Sequence, residues 1–155
     1  MQAICGRPED IEAWMALVQD VAWNFPGLET AEAIEEHRRT VLKFMAQDRA
    51  LCVKAGAEIA GVLLFSRKRN RICCLAVSER WRRRGIASML LTEALRRLDR
   101  TREVSVSTFR QEDPKGVAPR ALYARFGFEP DALIEEFGYP NQRFVLRAQA
   151  PEKAN

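Results

Sequence analysis

The chain has 155 residues, 47% of them hydrophobic, and 25 basic against 21 acidic residues give it a net charge of +4. That length and apolar content suit one domain with a sizeable core, and no apolar run approaches the ~20 residues that cross a bilayer, so a membrane partner is not expected. The excess of positive charge is mild and lies mainly in residues 67–84, which fits an anionic small molecule better than nucleic acid, whose binders carry a broader basic face.

In chain order, the opening MQAICGRPED lacks the apolar core of a signal peptide, and a cytoplasmic location is the default expectation. A short strand is expected at residues 2–5. Pro8, Glu9 and Asp10 suit a helix start, and Trp14, Leu17, Val18 and Val21 give that helix one apolar face as far as Ala22. Asn24-Phe25-Pro26-Gly27 reads as a loop, and Thr30 can cap a second helix running to Gln47. Residues 51–54 and 59–66 form a hairpin around Ala55-Gly56-Ala57, and residues 67–71 are a further turn.

Residues 72–77 form the next strand, through Ile72, Leu75 and Val77. After it come an arginine-rich turn, Arg82-Arg83-Arg84-Gly85, and a helix in which Ile86, Leu90, Ala94, Leu95 and Leu98 recur at helical spacing. A helix beginning at Gly85 leaves its first N–H groups without carbonyl partners, and those donors together with the helix dipole suit phosphate oxygens. The three arginines add charge there, since a guanidinium can bind phosphate through two parallel hydrogen bonds. No Gly-Lys-Ser/Thr follows, which excludes a Walker loop, and one glycine in the turn excludes a Rossmann fingerprint.

Val104, Val106 and Thr108 alternate with Ser105 and Ser107 as a clear strand over residues 103–109, followed by a polar loop. A shorter helix from Ala118 carries Ala121, Leu122 and Tyr123, and Gly127 can end it as a left-handed cap. Residues 131–137 are expected as a helical turn, residues 143–146 as a final strand, and the tail from 149 to 155 as mobile. The architecture expected is α/β, with a mixed, mostly antiparallel central sheet flanked by helices, in one domain over residues 1–148. Cys5, Cys52, Cys73 and Cys74 form no C-x-x-C pair and no zinc spacing, so they read as free thiols and no metal is expected.

The segment Arg82-x-x-Gly85-x-Ala87, preceded by the triplet Leu75-Ala76-Val77, resembles motif A of the GNAT superfamily of acetyl-CoA-dependent N-acyltransferases. Ala121-Leu122-Tyr123-Ala124-Arg125-Phe126-Gly127-Phe128 resembles motif B of the same family. The resemblance implies a GNAT-like fold, acetyl-CoA as co-substrate, and an amine acceptor that is a small molecule or a peptide; it leaves a homodimer open. It further implies that Leu75, Ala76, Val77, Arg82, Arg83, Arg84, Gly85, Ile86, Ala87 and Ser88 meet the cofactor, with a backbone N–H of residues 75–77 facing the oxyanion.

Transfer from a thioester to an amine needs three things: removal of a proton from the amine, donors for the oxyanion, and a proton for the thiolate. Tyr123 is the candidate for the last, because a phenol with a pKa of about 10 can donate to a departing thiolate. The resemblance supports that role. The base is less legible: many GNAT members carry a glutamate on the strand before the cradle, whereas Asn70-Arg71-Ile72-Cys73-Cys74 holds no carboxylate. His37, Glu112, Asp113 or water are the alternatives, and a structural role for His37 is the stronger reading. An asparagine common before the motif B tyrosine is also missing from Lys115-Gly116-Val117-Ala118-Pro119. Both departures leave a second reading open, an acyl-CoA-binding sensor or interaction module without turnover. Acceptor choice is expected from the first two helices and residues 137–140, where Trp14, Trp23, Phe25 and Tyr139 either line a pocket or fill core.

Overall fold

The computed structural model describes residues 1–149. The elements are β1 (Ala3–Cys5), α1 (Ile11–Val21), α2 (Ala31–Ala46), β2 (Ala50–Ala55), β3 (Glu58–Ser66), β4 (Arg71–Val77), α3 (Ile86–Arg97), β5 (Val104–Phe109), α4 (Val117–Arg125), β6 (Glu129–Glu136) and β7 (Tyr139–Leu146). The strands make one seven-stranded sheet in the order β1-β2-β3-β4-β5-β7-β6, antiparallel at every pairing except β4 with β5. This is the mixed, mostly antiparallel α/β sheet flanked by helices that the sequence implies. No helix among the described residues is long and apolar enough to cross a membrane. Of the tail expected from residue 149, only Gln149 is described, and its N–H donates to the Arg100 carbonyl at 2.8 Å; residues 150–155 lie outside the described residues.

The two sheet faces carry separate cores because β3 sits mid-sheet and alternates its side chains between them. Leu63 and Phe65 join Leu51, Ile72, Val104 and Phe144 beneath α3 and α4, which contribute Ile86, Leu90, Leu91, Leu122 and Tyr123. Val62 and Leu64 join Cys52 and Ala76 beneath α1 and α2, which contribute Trp14, Leu17, Val18, Val41 and Met45. Local signals agree with these placements. Thr30 Oγ1 accepts from the Ala33 N–H at 3.0 Å and caps α2. Gly127, at φ +91°, ends α4 with its N–H on the Ala124 carbonyl.

The helical turn expected over residues 131–137 is overturned: residues 131–136 belong to strand β6 and Phe137 to the hairpin turn after it. Leu133, Ile134, Glu135 and Glu136 pair with Gln142, Asn141, Pro140 and Tyr139 of β7. A register shift between Pro130 and Leu133 breaks the alternation that would have marked the strand. The turn is Phe137-Gly138, both at positive φ (52° and 73°), the geometry of a two-residue hairpin. Phe rarely occupies that region, so the hairpin carries a weak sequence signal. Strand β7 accordingly begins at Tyr139, well before the expected residue 143.

Two contacts set where the functional elements lie. The Asn70 side chain, nearly fully buried, donates Nδ2 to the carbonyls of Asp99 (2.8 Å) and Glu103 (2.9 Å) and accepts the Asp99 N–H at 2.9 Å. It pins the β3–β4 turn to the start of β5. Gly61 on β3 lets α3 settle onto the sheet: a Cβ there would stand 2.6 Å from Ile86 Cγ2 and 3.0 Å from Leu90 Cδ1.

Candidate active site

At the end of β4 the chain passes through a 3-10 turn, Glu79–Trp81, and enters α3 at Gly85. Arg83 (φ 62°) and Gly85 (φ 76°) are both left-handed, a turn that directs successive amides to one side. The first helical bond runs from the Met89 N–H to the Gly85 carbonyl at 3.0 Å. Among the described residues, no amide from Arg83 to Ser88 donates to a protein acceptor. A Cβ on Gly85 would meet nothing within 4 Å, so the residue is demanded by its dihedral and the space above it is open. The nest is therefore a set of unengaged donors at a helix N-terminus, built to receive an anion.

All three arginines around it are exposed, and Arg84 in addition lies over the Trp81 ring, 4.8 Å from its centroid. Arg80 is tied to Glu58 at 2.8 Å, in keeping with a surface role. The Ile86 side chain is core, leaving only its amide for the nest, while Ala87 and Ser88 are half-buried.

Strands β4 and β5 share a single register pair, Arg71 with Ser105, and then diverge. The Ser78 N–H donates to the Ala60 carbonyl at 2.9 Å. Alternation along β4 therefore turns the Ala76 N–H to β3 and the Leu75 and Val77 N–H groups into the opening between β4 and β5. A register shift at Leu64/Phe65 leaves Cys73 bulged out beside this split. Tyr123 comes to it from α4: the ring is 4% exposed and packs against Phe128 and Phe144, with centroids 5.6 and 6.1 Å away. Burial first, and then the Cys74 thiol on β4, push the phenol well above its ordinary range. The same burial pushes Cys74 up to about 12. Both groups stay protonated at neutral pH.

Around the split, side chains from segments far apart in sequence meet. Arg71 Nη2 of β4 reaches Glu136 Oε1 of β6 at 3.3 Å, spanning β5 and β7 in the sheet order. The Tyr139 hydroxyl donates to Asp113 Oδ2 at 2.8 Å, its ring lies edge-on to Phe109, and Lys115 sits over both rings. The hairpin tip meets the loop after α1: a Cβ on Gly27 would stand 3.1 Å from Phe137 Cγ. Phe137 (82%) and Trp23 (64%) are exposed, whereas Trp14 is completely buried and belongs to the core.

The expected alternatives for a base fare differently. Asp113 is engaged, by Tyr139 and by the Lys115 N–H it caps at 3.0 Å, and Glu112 is exposed in the loop. His37 is half-buried on α2, and that burial lowers its pKa. Glu136 and Arg71 were not among the residues singled out by sequence; a carboxylate on β6 facing an arginine on β4 has no local pattern. Among the described residues no cluster of three or more His, Cys, Asp or Glu side chains is arranged to hold a metal ion. All four cysteines are free.

A family model described as the acetyltransferase (GNAT) domain matches residues 26–138. The chain is similar in fold to a GNAT-family acetyltransferase from Bacillus cereus, at TM-score 0.74 and 20% identity over 96% of this chain and 98% of that one. It is also similar to an N-acetyltransferase from Staphylococcus aureus, at TM-score 0.72 and 16% identity over 94% and 100% of the two chains. The PaiA N-acetyltransferase of Thermoplasma acidophilum, solved in complex with coenzyme A, aligns at TM-score 0.65 and 16% identity over 92% and 96%. A comparison with curated proteins returned no match.

Proposed function

This chain belongs to the acetyltransferase (GNAT) domain family, and from that premise we propose that it transfers the acetyl group of acetyl-CoA to a primary amine by direct attack, without a covalent acyl-enzyme. The observation that carries the reading is the run of unengaged amides from Arg83 to Ser88 under the open face of Gly85. Those donors would hold the pyrophosphate of coenzyme A, with Arg82 and Arg83 beside it and Arg84 contributing charge from its place on Trp81.

From that anchor the pantetheine arm would run along β4 into the split. The Leu75 and Val77 N–H groups then face the thioester carbonyl, where they oppose the negative charge that grows on oxygen during attack; a preorganised donor of this kind is worth about 10²–10³ in rate. Ala76, whose amide belongs to the β3 ladder, contributes only spacing. Tyr123 is suited to donate a hydrogen bond to the departing sulfur because its raised pKa keeps the hydroxyl protonated. The acceptor would enter from the α1–α2 side, between the Gly27 loop and the β6–β7 hairpin.

Calorimetric titration with acetyl-CoA tests this. Wild-type protein should bind, and Gly85→Val, which forces a β-branched residue to φ 76°, should weaken binding at least tenfold. Thiol release with a panel of amines should follow. Binding without turnover on any amine would favour the sensor reading, and absence of binding would reject both.

A further inference from the structure

We propose that Glu136 receives the proton of the attacking amine, with Arg71, from the closed end of the β4–β5 split, holding its carboxylate. The inference rests on the transferase reading above. It starts from a gap: residues 71–77 of β4 carry no carboxylate. The acids near the split are otherwise occupied or outward. Asp113 is bound by Tyr139 and by the Lys115 N–H, Glu29 takes the Gly27 N–H with both oxygens at 3.0 and 3.1 Å, and Glu112 and Glu135 are exposed.

Glu136 differs because its side chain reaches across β5 and β7 to β4, beside the bulged Cys73. Its Oε1 meets Arg71 Nη2 at 3.3 Å, and the two side chains are 30% and 25% exposed. A charge-assisted bond closes to about 2.7–2.9 Å when tight, so this is a long ion pair that holds the carboxylate through one oxygen only. Oε2 makes only a 3.4 Å contact with Asn141 Nδ2. Turned over, the Asn141 amide donates instead to the Thr108 and Pro140 carbonyls, at 3.2 and 3.1 Å, and leaves Oε2 unpartnered. The residue next to Glu136 is Phe137, whose ring stands against the Gly27 loop, so the carboxylate is placed where an acceptor would enter.

The charged and titratable groups around the carboxylate are Arg71 and the bulged Cys73 of β4, with Arg49 and Arg69 beyond Cys73. Arg110 at the end of β5 donates to the Ile134 and Asn141 carbonyls, and Tyr139 is bonded to Asp113. In the step itself Glu136 Oε2 takes one proton from the alkylammonium and passes it to solvent, which frees the nitrogen lone pair. The nitrogen then bonds to the thioester carbonyl carbon and the carbon–sulfur bond breaks; the proton that the nitrogen sheds goes to solvent, and the Tyr123 hydroxyl gives its proton to the sulfur and is reprotonated from solvent. One alkylammonium and one acetyl-CoA give one acetamide, one thiol and one proton.

The test uses two kinds of nucleophile with the full-length protein and acetyl-CoA, read by thiol release over the uncatalysed rate. Primary alkylamines, with pKa values of about 10.4, arrive protonated and need a base; hydroxylamine is already unprotonated at neutral pH. Glu136→Gln should lose about 10²-fold or more in transfer to alkylamines, with partial recovery as pH rises, while transfer to hydroxylamine stays within about threefold and calorimetry shows unchanged acetyl-CoA affinity. Glu136→Asp should recover part of the rate, and Glu135→Gln should match wild type. Equal losses with both nucleophiles, no loss with either, or a wild type that uses hydroxylamine but no amine would overturn the proposal. A wild type that does not bind acetyl-CoA would instead remove the transferase reading on which it stands.

Discussion

Tyr123 illustrates how far one residue's role depends on its surroundings. Its position after Leu122 and before Gly127-Phe128 marks it in the sequence, yet the fold decides that its ring fills core while its hydroxyl makes no hydrogen bond to protein among the described residues. Tyr123→Phe should therefore leave stability within about 1 kcal/mol of wild type, the scale of one modest hydrogen bond. Thiol release should fall by about 10²-fold, at the low end of proton-transfer effects. Thermal denaturation read beside kinetics checks both; a rate unchanged by the substitution would leave the phenol a packing residue. The arginine trio shows the opposite dependence. Three adjacent identical side chains look equivalent in sequence, and all three are exposed, but Arg84 alone of them lies over the Trp81 ring. Long flexible side chains choose partners that only the folded surface supplies.

At the scale of elements, the nest is only as well placed as the helix it opens. Helix α3 buries Ile86, Leu90, Leu91 and Ala94 against the sheet, and the apolar spacing made that helix legible. Its seat on β3 was not legible, because Gly61 lies in a run that reads simply as a buried strand. Gly61→Ala would thrust a methyl into Ile86 and Leu90, an overpacking that costs about 1–3 kcal/mol. The melting temperature should drop by several degrees and acetyl-CoA affinity should fall as the start of α3 is lifted, measured by calorimetry on the same samples. A loss of stability with unchanged affinity would show that the nest tolerates movement of its helix. Strand β6 makes the same point from the other side: its register shift hid a strand, and with it the carboxylate that faces Arg71.

For the whole molecule, the decisive feature is that β4 and β5 touch once and part. Asn70 clamps the closed end through three hydrogen bonds. Beyond it one face of the sheet, beneath α3 and α4, leads to the anion nest, and the other, beneath α1 and α2, leads to the Gly27 loop and the β6–β7 hairpin. Cofactor and acceptor would therefore approach from opposite faces and be sensed by different residues. Phe137→Ala removes a side chain that is 82% exposed and lies against the Gly27 loop. It should raise the KM for an apolar amine at least threefold while acetyl-CoA affinity stays unchanged, with steady-state kinetics and calorimetry as the paired readouts. A parallel change in both would mean that the two faces are not independent.

The sequence by itself determined what is local: the strand, the arginine turn, the helix that starts at Gly85 and the Leu122-Tyr123 helix, because periodicity, capping and left-handed glycine are properties of a few adjacent residues. Those same blocks carried the family and the α/β architecture. Tertiary structure alone decided which amides of β4 face an opening, which arginine is taken by an aromatic ring, and that a glutamate on β6 stands opposite an arginine on β4. Each of those depends on strand order and register, which bring together residues 65 apart in the chain, and no short stretch of sequence encodes that pairing.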